Sequence, residues 1–162
     1  MTGVLVVEGR RVTATGLPTP FVPPDGLLTR VHAVCTAADG RVVLVSGSGR
    51  AWWLPGGGRE PGETPEETLA REVWEEICGE VTRRAYPGSS RFDAPDHPGG
   101  RRTGYHARYW ARVALHPFRP AFETAFRCLV PPSAFRDVLE WGQDPTAGAI
   151  LEAALAAERS HR

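Results

Sequence analysis

Three consecutive glycines just before a strongly signalled helix constrain the fold of this 162-residue chain more than any other feature. The glycines are Gly56–Gly58, and a helix start follows them within a few residues. Thr64 is a suitable N-cap, Pro65 suits the first helical position, and Glu67 completes a capping box. The sequence therefore predicts a glycine loop that leads into a helix from Pro65 to Ile77.

Apolar residues recur every four positions along this predicted helix, at Leu69, Val73 and Ile77. A stripe of this kind packs against another apolar surface, and the flanking segments rich in Val and Leu favour strands. Strands interspersed with a few helices favour an α/β fold, in which a mixed β-sheet is sandwiched between helices. The length favours a single domain over residues 1–162.

The remaining predicted elements follow from turn residues and apolar patterning. A hairpin followed by a proline-rich connector is predicted for residues 1–27, with the hairpin turn at Glu8 to Arg10. The predicted strands are Val4–Val7, Arg11–Thr15, Leu28–Thr36, Arg41–Val45, Val81–Ala85, Tyr105–Leu115 and Thr124–Val130. Two further helices are expected, from Pro131 to Trp141 and from Asp144 to Glu158. Residues 86–104 are expected to be irregular, with strand residues around Arg91 and Phe92 left open.

Three carboxylates lie on one side of the predicted first helix. Glu72 precedes Glu75 by three residues and Glu76 by four, so the helical period brings these side chains together. Like charges at this spacing repel by a few tenths of a kcal/mol per pair, and a bridging cation would reverse that effect. The alternative is a solvated acidic face in which Arg71 forms ion pairs with Glu67 and Glu75. The neighbouring glycine loop favours a ligand site, because glycines let backbone approach a ligand closely.

The loop and helix together resemble the Nudix box, G-x5-E-x7-R-E-U-x-E-E-x-G-U, where U is an aliphatic residue. The matching positions are Gly57, Glu63, Arg71, Glu72, Val73, Glu75 and Glu76. The last two positions depart from the pattern, because Cys78 replaces the glycine and Gly79 the aliphatic residue. Such a change leaves the carboxylates in place and concerns the geometry of the helix end.

The resemblance implies a Nudix-like α/β/α sandwich and a metal-dependent hydrolase that needs Mg²⁺ or sometimes Mn²⁺. The implied metal ligands are Glu72, Glu75, Glu76 and the Gly56 carbonyl, and the implied supporting residues are Gly57, Glu63 and Arg71. The substrate would be a nucleoside diphosphate linked to another group, cleaved at its pyrophosphate linkage. A non-catalytic nucleotide-binding or sensor module is the alternative.

Hydrolysis also needs a carboxylate that takes a proton from the attacking water. The candidates are Glu72, Glu76 and Glu123, which precedes a predicted strand. The candidates for substrate contacts are Arg50, Trp52, Arg59 and Tyr105. For these residues, packing in the core or exposure on a solvated loop is an equally simple interpretation.

Composition excludes several other classes of function. The formal net charge is zero, which argues against a nucleic-acid polymer as partner, and no apolar run is long enough to span a membrane. The first residues are not typical of a secretory signal, and three widely spaced cysteines do not suggest a disulfide framework. We therefore expect a cytoplasmic protein with a small nucleotide-type substrate, and the sequence is compatible with a homodimer.

Overall fold

A computed structural model describes residues 2–7 and 10–161 of the chain. Its strands are β1 (Thr2–Val7), β2 (Arg10–Pro18), β3 (Leu28–Thr36), β4 (Val42–Ser46), β5 (Gly56–Gly58), β6 (Gly79–Ala94), β7 (Arg102–Leu115) and β8 (Phe126–Val130). Its α-helices are α1 (Pro65–Ile77), α2 (Phe135–Val138) and α3 (Pro145–Ser160), and single 3₁₀ turns span Asp25–Leu27 and Pro132–Ala134. The predicted turn at Glu8 and Gly9 lies outside the described residues.

The strands form one mixed sheet in the order β1-β2-β6-β7-β3-β4-β8, with β5 paired to β3. The β3–β7 pair is parallel and the other pairs are antiparallel. Strand β3 meets β4 only at Cys35 and Thr36, and β5 takes over as its partner from Arg30 to His32. The sheet therefore opens between β4 and the β3–β5 pair, which leaves a cleft there.

Helices cover both faces of this sheet, and each face has its own apolar core. On one face Leu69, Val73 and Ile77 of α1 pack against buried residues of β3 and β7. On the other face α2 and α3 pack over a cluster that includes Trp110 and Val34. The predicted α/β/α sandwich with a mixed β-sheet is confirmed.

The predicted helix Pro65–Ile77 has the expected bounds and the expected capping box. The Thr64 side chain accepts from the Glu67 backbone N–H, and the Glu67 carboxylate accepts from the Thr64 N–H. The helix ends in a left-handed residue, Cys78, with φ 48°. A non-glycine residue therefore caps the helix, and Gly79 begins β6 directly after it.

Two predictions about the rest of the chain are wrong. The stretch from Tyr86 to Gly104 is mostly strand, because β6 continues to Ala94 and β7 begins at Arg102. The proline and glycine at 87 and 88 are accommodated at a register shift between Ala85 and Gly88, where β6 bends and still pairs with β2.

The helix predicted from Pro131 to Trp141 contains only one α-helical turn, α2, which follows a 3₁₀ turn. Leu139 is already extended, with ψ 131°, and forms a bridge with Trp52. Backbone pairing with a distant segment therefore ends the helix, a contact that local helix propensity does not encode. Among the described residues, no helix is both long and apolar enough to cross a membrane.

Candidate active site

Arg71 organises the carboxylates around the first helix. Its guanidinium donates to both carboxylate oxygens of Glu63, at 2.7 and 3.0 Å. It also donates to Glu72 Oε1 at 2.9 Å, to Glu75 Oε2 at 3.2 Å and to the Gly58 carbonyl at 2.9 Å. The alternative ion pair between Arg71 and Glu67 does not form, since Glu67 is used in the capping box. Arg71 instead ties Gly58 to the helix and holds two helix carboxylates at once.

Glu63 is held more tightly than an ordinary loop carboxylate. Besides the Arg71 fork, it accepts from the Glu60 N–H and the Thr68 hydroxyl. Hydrogen bonding to Arg71, followed by the bond from the Glu60 N–H, lowers the pKa of Glu63 to about 2. Glu63 is therefore ionised across the physiological range and serves as the fixed anchor of Arg71.

The three glycines predicted to form a loop instead form strand β5, because they pair with β3, and this segment lies directly against the helix carboxylates. Gly56 has φ 141°, which favours glycine, and a Cβ there would overlap the Val31 backbone. A Cβ on Gly57 would overlap the Glu72 carboxylate, so that glycine lets the side chain approach the loop. Glu72 is 8% exposed, and desolvation raises the pKa of its carboxyl in spite of the nearby Arg71.

Glu76 is the most perturbed of the three helix carboxylates. Its Oε2 accepts from the Gly56 N–H at 2.7 Å, and its Oε1 lies 3.4 Å from the Thr124 hydroxyl. Burial is the main reason that the pKa of Glu76 rises to about 7, with the Glu72 charge acting in the same direction. Within the described part of the chain, no cationic side chain forms a salt bridge with Glu76.

The opening between β4 and the β3–β5 pair forms a cleft of about 240 Å³. Gly56, Glu76 and Glu123 line it. The predicted loop carboxylate Glu123 therefore lies in the same cleft as the helix carboxylate, although it is 47 positions away in the sequence. Glu72 and Glu75 are not part of this lining and lie along the adjoining Arg71 cluster.

The four residues predicted to contact substrate lie outside the cleft lining. Arg59 binds Asp25 and the Leu28 and Glu63 carbonyls. Trp52 packs against the α3-side core, and Tyr105 packs against the α1-side core. Arg50 is exposed on the loop after β4. A contact between these side chains and a substrate stays a prediction.

Sequence reasoning missed three residues that the fold brings to the cleft: Arg30, His32 and Trp53. Arg30 and His32 are two positions apart on β3, so both side chains lie on the sheet face opposite α1. Trp53 is 47% exposed. Burial, together with the charge of Arg108, lowers the pKa of His32 well below its usual value, so the ring is neutral at pH 7. The strand period could have identified the Arg30–His32 pair, but only the split sheet shows that this face opens into a cleft.

The donor chemistry of this site fits a hard divalent cation. Carboxylate oxygens and a backbone carbonyl are the ligands that Mg²⁺ prefers, and Glu76 is a partly buried carboxylate with no salt-bridge partner among the described residues. Within residues 2–7 and 10–161, no group of three or more His, Cys, Asp or Glu side chains is close enough to form a ready-made metal site. Arg71 bonds one oxygen each of Glu72 and Glu75, which leaves their other oxygens without a described hydrogen bond.

Comparison with known proteins identifies the family of this fold. The family model described as the NUDIX domain matches residues 26–149. An RNA pyrophosphohydrolase from Aeromonas hydrophila is 41% identical over 58 residues, which cover 35% of this chain and 33% of that protein. A MutT-like protein from Streptomyces ambofaciens is 40% identical over 60 residues, covering 33% of this chain and 39% of that protein. The chain thus spans about a third of the length of these curated relatives.

Solved structures show the same fold over most of the chain. A Bacillus subtilis pyrophosphohydrolase superposes with a TM-score of 0.72 and 21% identity, covering 97% of this chain and 98% of that one. An ADP-ribose pyrophosphatase from Streptococcus suis gives a TM-score of 0.56 and 20% identity, covering 82% and 92%. At these identities the likeness concerns the fold.

Proposed function

Since this chain belongs to the Nudix family, we propose that it is a metal-dependent hydrolase that cleaves a pyrophosphate linkage in a nucleoside diphosphate joined to another moiety. The names of its relatives support this class, since they include an RNA pyrophosphohydrolase and an ADP-ribose pyrophosphatase. The proposed metal is Mg²⁺, with Mn²⁺ as the substitute. The proposed ligands are Glu72, Glu75, Glu76 and the Gly56 carbonyl.

One observation carries the proposal: a partly buried carboxylate, Glu76, meets a glycine backbone at the wall of an open cleft. Burying this carboxylate is costly, since desolvation raises its pKa to about 7. A cation bound there would offset the cost, and the cleft would admit the phosphates that accompany it.

When bound, Mg²⁺ would neutralise phosphate oxygens and lower the pKa of the attacking water. The side chains of the chain have distinct roles beside it. Arg71, anchored by Glu63, orients Glu72 and Glu75. Gly57 leaves space for the Glu72 carboxylate next to the loop. The hydrogen bonds of Arg71 thereby hold the proposed ligand oxygens in position before substrate binds.

We assign the proton-accepting role to a carboxylate of the cleft, either Glu76 or Glu123, and retain Glu72 as the third candidate. Glu76 lies at the wall of the cleft, where its carboxylate accepts from the Gly56 N–H and is within reach of a water molecule in the cleft. Glu123 is exposed at the same cleft and is free to reach a water molecule there. The single variants Glu76→Gln and Glu123→Gln separate these roles.

A substrate panel tests the proposal directly. Nucleoside triphosphates, sugar nucleotides, ADP-ribose and dinucleoside polyphosphates would be incubated with and without Mg²⁺, and phosphate-containing products measured. We expect Mg²⁺-dependent turnover of at least one class, and a loss of two or more orders of magnitude in Glu76→Gln. Glu152→Gln, on the exposed face of α3, is the matched control and should retain activity.

Turnover that persists in a chelator, or in Glu76→Gln at the wild-type rate, would refute the metal assignment. Absence of turnover over the whole panel, combined with tight nucleotide binding, would identify a non-catalytic nucleotide-binding module instead.

A further inference from the structure

A second cavity, separate in its lining from the carboxylate cleft, lies on the sheet face covered by α3. It is half-open, has a volume of about 230 Å³ and is lined by the end of β2, the bend of β6 and the inner side of α3. Its walls are mostly carbon, with Leu17, Pro87 and Ile150 as examples. Arg108, on β7, is the one charged residue among the described residues of the lining. A mostly apolar pocket with a few polar groups is typical of small-ligand sites.

Arg108 has hydrogen-bond donors that no described residue accepts. Its Nε donates to Ser90 Oγ at 3.1 Å, and its two terminal nitrogens have no acceptor among the described residues. Its guanidinium carbon lies 6.0 Å from the centre of the Phe92 ring and 5.8 Å from that of Trp141. No carboxylate in the described part of the chain forms a salt bridge with it. Burial, with the nearby charge of Arg30, lowers the pKa of Arg108 to about 10, which still leaves the group cationic at pH 7.

The cavity therefore suits a flat, largely apolar group that presents hydrogen-bond acceptors at one edge. Its volume is below the roughly 300–1,000 Å³ of pockets for drug-sized ligands, so it has room for a ring system but not for a whole nucleotide. Arg108 could pair with a phosphate there, but the carbon-rich remainder of the walls would leave most of the phosphate oxygens without partners, which is costly. A nucleobase combines an apolar body with a polar edge of this kind.

Strand register places this cavity within reach of the carboxylate cleft. Arg108 lies opposite His32 on β3, and His32 lies opposite Gly56 on β5. Two strand spacings separate the backbones of Gly56 and Arg108 by about 10 Å. The ribose and phosphates of a nucleotide can span that distance, with Arg30 and His32 between the two ends.

The chemistry of Arg108 also discriminates between bases. A guanidinium donates and never accepts, so its fork pairs with two adjacent acceptors. Guanine offers N7 and O6 as acceptors, whereas adenine offers N7 beside the N6 amino donor. We propose that this cavity holds the base of the nucleotide substrate and that Arg108 selects a 6-oxopurine over adenine. This inference rests on the proposed function for the identity of the substrate as a nucleotide.

Binding measured without metal tests the inference independently of catalysis. GMP, IMP, 7-deaza-GMP and AMP would be titrated into the full chain in chelator, with binding followed by calorimetry. We expect GMP and IMP to bind alike and about 5- to 150-fold more tightly than AMP, the discrimination that one bidentate pair provides. Removal of N7 in 7-deaza-GMP should abolish most of that advantage.

Substitution of the anchor should change the preference itself. A glutamine side chain offers one acceptor and one donor, which match adenine. Arg108→Gln should therefore lose the preference for GMP and shift towards AMP, and Ser90→Ala should weaken the preference by freeing the guanidinium. Arg102→Gln, at an exposed position of the same strand, is the matched control and should retain the wild-type order.

Equal binding of GMP and AMP by the wild-type chain would overturn the inference, as would an unchanged preference in Arg108→Gln. Equal binding of 7-deaza-GMP and GMP would also overturn it, and that comparison needs no protein variant. If the GMP preference appears but no pyrophosphate linkage is hydrolysed, the base site stands and the proposed hydrolase activity fails. If hydrolysis appears without base preference, the proposed hydrolase activity stands and the base site fails.

Discussion

Replacing Glu76 by glutamine should stabilise the metal-free protein at alkaline pH while abolishing activity. Burial is the largest cause of the raised pKa of Glu76, from 4.5 to about 7. Each tenfold change in proton affinity is worth 1.36 kcal/mol, so the ionised carboxylate costs the folded state up to about 3 kcal/mol. The side chain is only partly buried, which reduces the expected gain to about 1–3 kcal/mol.

The size of this effect depends on pH. Because the folded pKa lies above the unfolded one, the cost is absent below about pH 4.5 and complete above about pH 7. Glutamine keeps an oxygen that can accept from the Gly56 N–H, so the variant preserves the main hydrogen bond. The stability of Glu76→Gln relative to wild type should therefore rise between pH 4.5 and pH 8.

Urea unfolding in chelator at pH 4.5, 6 and 8 measures this difference, and thermal unfolding provides a second measure. A gain of 1–3 kcal/mol corresponds to roughly 2–12 °C in a domain of this size. Glu152→Gln is the control, and it should follow wild type at all three pH values. A stability difference between Glu76→Gln and wild type that is the same at pH 4.5 and pH 8 would refute burial as the cause of the perturbed carboxyl.

Three further predictions concern the surrounding structure. Gly57→Ala should reduce turnover by at least tenfold with the helix still folded, because the added Cβ overlaps the Glu72 carboxylate; steady-state kinetics with circular dichroism checks both parts. Glu63→Gln should lower stability at pH 7 by about 1–3 kcal/mol, because the charge partner of Arg71 is lost. With its folded pKa near 2, Glu63 stabilises the fold above about pH 4.5, so the difference in unfolding free energy between wild type and variant should vanish as the pH falls towards 2. Glu158→Ala should cost about 2–4 kcal/mol in urea unfolding and leave kcat/KM unchanged, because this buried carboxylate, bonded to Thr36 and Arg112, lies outside the lining of the cleft.

Local signals made much of the first helix predictable. The N-cap, capping box and apolar stripe are all encoded within a few residues of one another, and the helix has the predicted bounds. The same spacing predicted that Arg71 could reach Glu75, and that ion pair is present. Glu67 forms the predicted capping box, and the alternative ion pair between Glu67 and Arg71 does not form, since one carboxylate serves the cap.

Predictions failed where pairing partners lie far apart in the chain. Residues 87 and 88 are strand breakers by composition, yet β6 continues past them, because β7 pairs with β6 on both sides of the register shift and β2 joins from Gly88 onward. Leu139 leaves its helix because Trp52 supplies a backbone partner. Neither partner is visible in a local window of sequence.

The sequence alone determined the helix and the placement of its carboxylates on one side, because both depend on spacings of a few residues. Tertiary structure decided that the three glycines pair with β3 as a strand, and it decided the surroundings of each carboxylate, since the split between β4 and β5 opens a cleft at Glu76 and leaves Glu72 and Glu75 on Arg71. It also brought Arg108 to an apolar cavity and Glu123 to the cleft of Glu76. Burial and desolvation depend on contacts between distant segments, and so the perturbed chemistry of these groups appears only in the folded chain.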